Sequence, residues 1–299
     1  MRAILSRDEK IFTRASVIIL AIFAVLSFSP FVLVVISSIS STESLINKGY
    51  SFVPQSLSLD SYVYMIAQGR IILRSYAVSL SVTIVGTLLS LVITTLLAYP
   101  LSRKDFMFRN LFTFLVFFSL LFNGGVVPSY IMWTKVFDIK NTIWALIFPT
   151  YLMFGINVLL VKNYFERNIP KDLIEAAQID GANELTIFTQ VMIPLSTPVI
   201  ATVGMFTALA YWNDWINGLY YINDPSLYGV QQLLIRILSN IAFLRSGAAA
   251  SVVGNIVISL PGESIRMALA VIGILPILIV FPLLQKYFIR GVVIGAVKG

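Results

Sequence analysis

Cysteine is absent from the 299 residues, and so is histidine. Without thiols there are no disulfides, no thiol nucleophile and no iron–sulfur cluster. Without imidazole the chain lacks the commonest general base, zinc ligand and proton relay. Membrane proteases and proton-coupled carriers thereby lose their usual chemistry. Charge is scarce as well. Asp, Glu, Lys and Arg make up 12% of the chain, and apolar residues 58%. Soluble domains carry about 25% charged and about 45–50% apolar residues, so this chain cannot cover its surface with charge and its solvent is lipid. Also missing is any Gly-x-x-x-x-Gly-Lys-Ser/Thr run to cradle phosphate, so this chain should not hydrolyse ATP. The net charge of +7 fits a membrane protein, where excess Lys and Arg fix orientation, better than a nucleic-acid binder.

What is there is a succession of long apolar segments. A spanning helix needs about 20 mostly apolar residues, and six stretches meet or approach that: 15–39, 75–99, 110–133, 142–161, 198–220 and 267–284. The first follows Arg2, Arg7, Lys10 and Arg14 but is far longer than the core of a signal peptide, which runs about 7–15 residues. It reads as an uncleaved helix. The third is interrupted by Asn123-Gly124-Gly125 and Pro128, the fourth contains Pro149, and the sixth contains Pro276 and Pro282. Pro149, Pro276 and Pro282 read as kinks for packing. With the N-terminus inside, thirteen Lys and Arg fall on inner segments and eight on outer ones. That bias puts both termini in the cytoplasm. No repeat or second domain is apparent, so residues 1–299 read as one transmembrane domain, all α-helical, with six membrane helices.

Two outer loops are substantial, 40–74 and 221–266. Leu59 to Ala67 has the character of a short surface helix, with Tyr62 and Tyr64 suited to the lipid–water boundary. The one long inner loop, 162–197, is polar between apolar spans. Pro170 suits the first turn of a helix. Leu173, Ile174, Ala177 and Gln178 then fall on one face, and Gly181 offers a left-handed stop after Asp180. A second short helix from about Asn183 carries Ile187, Phe188 and Val191, and Pro194 and Pro198 lead into the fifth span. Two small helices at a glycine elbow could simply close the inner end of the bundle. The same features would serve as a rigid handle for a partner, with small alanines and a single carboxylate, Glu175.

The run Glu175-Ala176-Ala177, then Gly181, then Val191-x-Ile193-Pro194 resembles the "EAA" loop of binding-protein-dependent ABC importer permeases. Val191 and Ile193 stand where that family has Ile and Leu. The extended form through Asp180-Gly181-Ala182 is similar to the carbohydrate branch, that of the maltose system. So are Tyr211-Trp212-Asn213-Asp214-Trp215 and the ending Ile294-Gly295-Ala296-Val297-Lys298-Gly299. The resemblance implies the type I importer permease fold and docking of the loop helix in a cleft of a cytoplasmic ATPase. Glu175, Ala176, Ala177, Asp180 and Gly181 are then the ATPase-coupling residues, and Lys298 and Gly299 candidates for a tail contact with the ATPases. It also implies the partners: a second permease, two ATPase subunits that use ATP and Mg, and an external substrate-binding protein facing the outer loop 221–266. No cofactor, metal or nucleic acid is expected on this chain itself. The location expected is the bacterial cytoplasmic (inner) membrane.

Asp214 is the one acid placed inside a span, where an ionisable group usually faces a cavity or a partner. Aromatic faces beside Asn and Asp suit a sugar, so Tyr211, Trp212, Asn213, Asp214 and Trp215 are candidates for the substrate path. They cannot all line one path, and Trp215 with Tyr220 equally suits an interfacial aromatic belt. Asn123 is a further path candidate, because broken backbone at membrane depth is tolerated only against protein or water. The favoured alternative is that the third span ends at Phe122 and the glycines form an external turn. The function expected is passage of a sugar or oligosaccharide into the cytoplasm by alternating access. Two alternatives stand beside it: another cargo (peptide, amino acid, phosphonate, metal complex) and an ion-coupled secondary transporter. The latter class often shows inverted repeats and midplane charges, which are not evident here. A membrane enzyme has almost no acid–base pair to work with.

Overall fold

A computed structural model of the chain describes residues 7–67, 69–245 and 263–296, and side chains up to residue 279. The Lys298 and Gly299 expectation lies outside the described residues, as does the stretch 246–262. The described residues are mostly helical, with one isolated antiparallel bridge between Ser40 and Leu57. In chain order the helices are α1 (Arg7–Ser38), α2 (Thr42–Lys48), α3 (Asp60–Ala67), α4 (Gly69–Ser102), α5 (Arg109–Leu121), α6 (Val126–Ile131), α7 (Trp144–Ile147) and α8 (Gly155–Asn168). They continue with α9 (Lys171–Ile179), α10 (Glu184–Thr186), α11 (Ile193–Leu195), α12 (Thr197–Trp212), α13 (Ile216–Tyr221), α14 (Val230–Arg245) and α15 (Glu263–Ala296). Wider π-type turns at Met132–Val136 and Ile187–Met192 extend α6 and join α10 to α11.

Among the described residues two helices are individually long and apolar enough to cross a membrane, α1 and α4. The number rises to four if each of two bent pairs counts as one span. The expected six spans therefore correspond to continuous helices only in part. The third expected span breaks after α5, whose 13 residues reach about 20 Å at 1.5 Å per residue, short of the roughly 30 Å hydrocarbon core. The chain then turns by 113° through Gly125 at φ +85°. The fourth is interrupted between α7 and α8 around Pro149, and α8 runs on past Val161 to Asn168. The sixth lies within α15. The expected surface helix at 59–67 is α3.

The chain divides into two compact units, Met1–Gly69 with Leu238–Leu275, and Arg70–Ile237 with Pro276–Gly299. In the first unit α1 presents its apolar side chains outward, with Phe12 75% and Val25 69% exposed, as a lipid-facing helix does. A hydroxyl cluster joins the outer loop to the start of α15: Ser264 bonds Thr42 and Ser61, each at 2.8 Å.

The second unit carries two apolar clusters. One gathers Ala98 and Leu101 from α4, Val116 from α5, Val158, Val161 and Phe165 from α8, Ile187, Phe188 and Met192 from the inner loop, and Val203 from α12. The other gathers Val82, Ala145 to Ile147, Tyr211, Tyr221, Ile222 and Tyr228. Helix α4 faces this interior through small residues: Ser75, Ser79, Gly86, Ser90, Thr94 and Ala98 are buried. Lipid supplies no hydrophobic drive between helices, so small residues that admit close backbone approach take its place.

Candidate functional site

The loop 162–197 is built as an elbow. Ile169 is extended (φ −105°, ψ 115°), as a residue before proline must be. Pro170 takes the N-cap position of α9, one residue ahead of the first turn where the sequence put it. At the far end Gly181 adopts φ +80°. Its N–H donates to Gln178 O at 3.0 Å, and the Ala182 N–H donates to Ala177 O at 2.9 Å. That pair of bonds is the Schellman motif, and it fixes the direction in which the chain leaves α9. A Cβ on Gly181 would meet nothing within 4 Å, so backbone conformation alone demands glycine. Asn183 then caps α10, its Oδ1 accepting from Thr186 N at 2.8 Å.

One side of the elbow packs on the bundle. Ile174, Ala177 and Ala182 lie against the cluster that contains Ile187, Phe188 and Met192. The face is narrower than the sequence suggested, since Leu173 and Gln178 are exposed. The other side is open: Glu175, Ala176, Asp180 and Gly181 are exposed. So are two apolar residues that the sequence reading passed over, Ile179 at 86% and Leu185 at 67%. A short helix with one side packed on the bundle and small and apolar residues displayed outward is suited to docking.

Polar contacts tie the elbow and its surroundings together. Tyr99, near the inner end of α4, donates its hydroxyl to Glu184 Oε2. Arg103 Nη2 lies 3.6 Å from Glu184 Oε1, which also accepts from Gln178 Nε2 at 3.4 Å. Arg103 pairs with Asp105 at 3.0 Å, and its hydrogen bond holds the Asp105 carboxyl below the usual carboxylate range. Separately, Arg109 and Lys162 converge on Glu166, the lysine at 3.1 Å. Between these two groups lies a cavity of about 360 Å³ lined by Arg103, Lys104, Arg109, Ile174, Glu175 and Gln178 among others.

The aromatic fifth-span segment is scattered by a break in the backbone. Helix α12 ends at Trp212 and α13 begins at Ile216. Asp214 sits in the gap, and its Oδ1 accepts from Ile216 N at 3.0 Å and Asn217 N at 3.2 Å, capping α13. Tyr211 is buried at 3% exposure, its ring so close to α4 that a Cβ on Gly86 would fall 2.6 Å from Cζ. Its hydroxyl donates to Ile147 O at 2.8 Å. Asn217 Nδ2 reaches Pro149 O at 3.4 Å and Ser90 Oγ reaches Tyr151 O at 3.1 Å. These three donors satisfy carbonyls that the interruption around Pro149 releases, the condition for irregular backbone at membrane depth. Trp212 is buried beside Tyr76, ring centroids 6.1 Å apart. Asn213 and Trp215 are exposed, the asparagine bonding back to Leu209 O at 2.9 Å. Within this chain, therefore, Tyr211 and Trp212 face the interior while Asn213 and Trp215 face out. Asn123 lies in the turn after α5, where its Oδ1 accepts from Gly125 N at 2.8 Å.

The chain was compared with known proteins. The family "Binding-protein-dependent transport system inner membrane component" matches residues 83–294. The polygalacturonan/rhamnogalacturonan transport system permease YtcP of Bacillus subtilis is 37% identical, covering 94% of this chain and 96% of that protein. The protein LplC of the same organism is 36% identical over 98% and 97% of the two chains. Among solved structures, a chain of a bacterial ABC transporter involved in import of the acidic polysaccharide alginate superposes with TM-score 0.79. It is 27% identical, covering 95% of this chain and 99% of that one. With that match across nearly the whole of the helical framework and the elbow within it, the chain belongs to the inner-membrane permease components of binding-protein-dependent ABC importers.

Proposed function

We propose that this permease passes an oligosaccharide from an external binding protein into the cytoplasm, driven by ATP hydrolysis on separate subunits. The relatives named for polygalacturonan and rhamnogalacturonan, for arabinooligosaccharides at 28% identity, and for melibiose, raffinose and stachyose at 28% support the cargo class. Both termini and the elbow face the cytoplasm, following the Lys and Arg bias. A second permease completes the pathway, because the helices of one chain enclose too little space for an oligosaccharide.

The observation that carries the reading is the elbow: one face held by the bundle, the other displaying Glu175, Ala176, Ile179 and Leu185 to water. On this reading it docks in a cleft of the ATPase. Closure of two ATPase subunits brings the two permeases' elbows together and turns the pathway outward. The loaded binding protein favours the same state, and each ligand must bind one state better than the other for any shift to follow. Glu175, Ala176, Ala177, Asp180 and Gly181 form the coupling element. Trp215 and Asn213 face the cargo path or the second permease, whereas Tyr211 and Asp214 hold the broken helices that shape it.

The experiment is ATP-driven uptake of labelled oligogalacturonides and arabinooligosaccharides by proteoliposomes holding the full complex. Saturable uptake of one of these that needs ATP and the binding protein is expected. ATP-independent uptake by this chain alone would overturn the reading.

A further inference from the structure

The elbow touches the bundle in two physically different ways. Ile187, Phe188 and Met192 contribute apolar contact to the inner cluster, and apolar attraction is non-directional. It holds the elbow on the bundle, and a directional contact beside it adds a fixed register. On the side of the 103–109 loop even this contact is missing, because the cavity of about 360 Å³ separates α9 from Arg103, Lys104 and Arg109. What bridges to α4 there is Glu184. Its carboxylate accepts from the Tyr99 hydroxyl, faces the Arg103 guanidinium, and accepts from Gln178 on the coupling helix itself. Hydrogen bonds are directional, and charge-assisted ones are shorter and roughly twice as strong as neutral ones. Tyr99 belongs to both systems, since its ring lies 5.3 Å from that of Phe188.

We propose that Glu184 is a positioning residue that locks the coupling elbow to the inner end of α4, so that displacement of the elbow is delivered to a membrane-crossing helix rather than lost in local rotation. The proposal rests on the reading of the elbow as the ATPase-docking element. The bridge contributes little to folding: the Glu184 side chain is 59% exposed, and exposed ion pairs are worth about 0–1 kcal/mol. Its effect is directional. Removing it should spare assembly and ATP hydrolysis and should loosen the elbow relative to α4.

Because the chain has no cysteine, spin labels can be placed at Gln190→Cys, on the segment that joins α10 to α11, and at Leu96→Cys on α4, both exposed positions outside the coupling element. The assay uses the complete complex with cysteine-free partner subunits, and measures the distance distribution between the labels without nucleotide and with ATP trapped. The unmodified bridge should give a narrow distribution unchanged between the two states. Glu184→Gln and Tyr99→Phe should each broaden it and shift it by several ångströms on ATP trapping, with ATPase turnover kept within about twofold. Tyr99→Phe removes a single hydroxyl and keeps the test open should Glu184→Gln fail to insert. Distributions in both variants that match the unmodified bridge in both states, with the ATPase bound, would overturn the lock alone. Failure of the ATPase to bind the unmodified chain through the elbow would overturn the docking reading and the lock with it.

Discussion

Replacing Gly181 separates two roles the elbow combines, holding a backbone shape and presenting a surface. The residue sits at φ +80° with open space where a Cβ would project, so any penalty comes from backbone strain and not from a clash. The left-handed conformation costs an ordinary L-residue roughly 1–2 kcal/mol, and less for Asn, whose short polar side chain bonds locally. If the elbow must hold this shape to dock, a strain of that size reduces docking by roughly 5- to 30-fold at most. Proline is different in kind. Its φ is fixed near −65° and it has no N–H, so the bond from Gly181 N to Gln178 O is lost and the neighbouring bond from Ala182 N to Ala177 O cannot keep its geometry. The chain would then leave α9 in another direction, and Glu184, Ile187 and Phe188 would no longer reach α4. Uptake in proteoliposomes should fall in the order Gly181→Asn, Gly181→Ala, Gly181→Pro. The first should stay near the parent and the last should be inactive, though inserted and folded by membrane extraction and thermal unfolding. Normal uptake by Gly181→Pro would refute the reasoning, and so would a loss of Gly181→Asn equal to that of Gly181→Pro.

Other outcomes follow from particular contacts. Glu175→Lys reverses the charge of an exposed side chain, so thermal stability of the isolated permease should stay within about 0.5 kcal/mol of the parent while ATPase co-purification and uptake are lost. Tyr211→Phe leaves Ile147 O without its donor, and an unsatisfied buried acceptor costs about 1–3 kcal/mol. The midpoint of thermal unfolding should drop, and an unchanged midpoint would show that the hydroxyl does not hold the break. Gly86→Ala forces the Tyr211 ring aside, an overpacking cost of about 1–3 kcal/mol, and in combination with Tyr211→Phe the two losses should not add, because they act on one contact. Trp215→Ala should change binding-protein-stimulated ATPase activity or sugar affinity; both unchanged would return Trp215 to the aromatic belt.

How much of this was legible in the sequence follows from how local each determinant is. The elbow was legible because its signals are neighbours: Glu-Ala-Ala, Asp-Gly, and apolar residues at helical spacing describe a capped helix within a dozen positions. The turn at Asn123-Gly124-Gly125 was legible for the same reason, two glycines after an aromatic run. The interruption of the fourth expected span was not. A proline in an apolar run looks like a kink, and what makes a full break tolerable is supplied from far away in the chain, by Tyr211 on α12 and Asn217 on α13. Asp214 was read as a polar group in need of a partner, and its partners proved to be backbone N–H groups two and three residues on. Capping was available as a signal once a helix start at Ile216 was suspected, but the mostly apolar run from Val199 to Trp212 leads straight into it, so that 198–220 reads as one span. Glu184 went unremarked because its meaning depends on Tyr99 and Arg103, which only the folded chain brings to it.

The docking of the elbow on an ATPase can be measured directly. With no cysteine in the parent chain, a single Ala176→Cys or Ile179→Cys can be cross-linked to single cysteines along the cleft of the ATPase subunit in the assembled complex. Both positions should form a specific cross-linked product whose yield changes on ATP binding, and Leu88→Cys, exposed midway along α4, should form none. No cross-link from either elbow position in a complex that still hydrolyses ATP and imports sugar would contradict that docking.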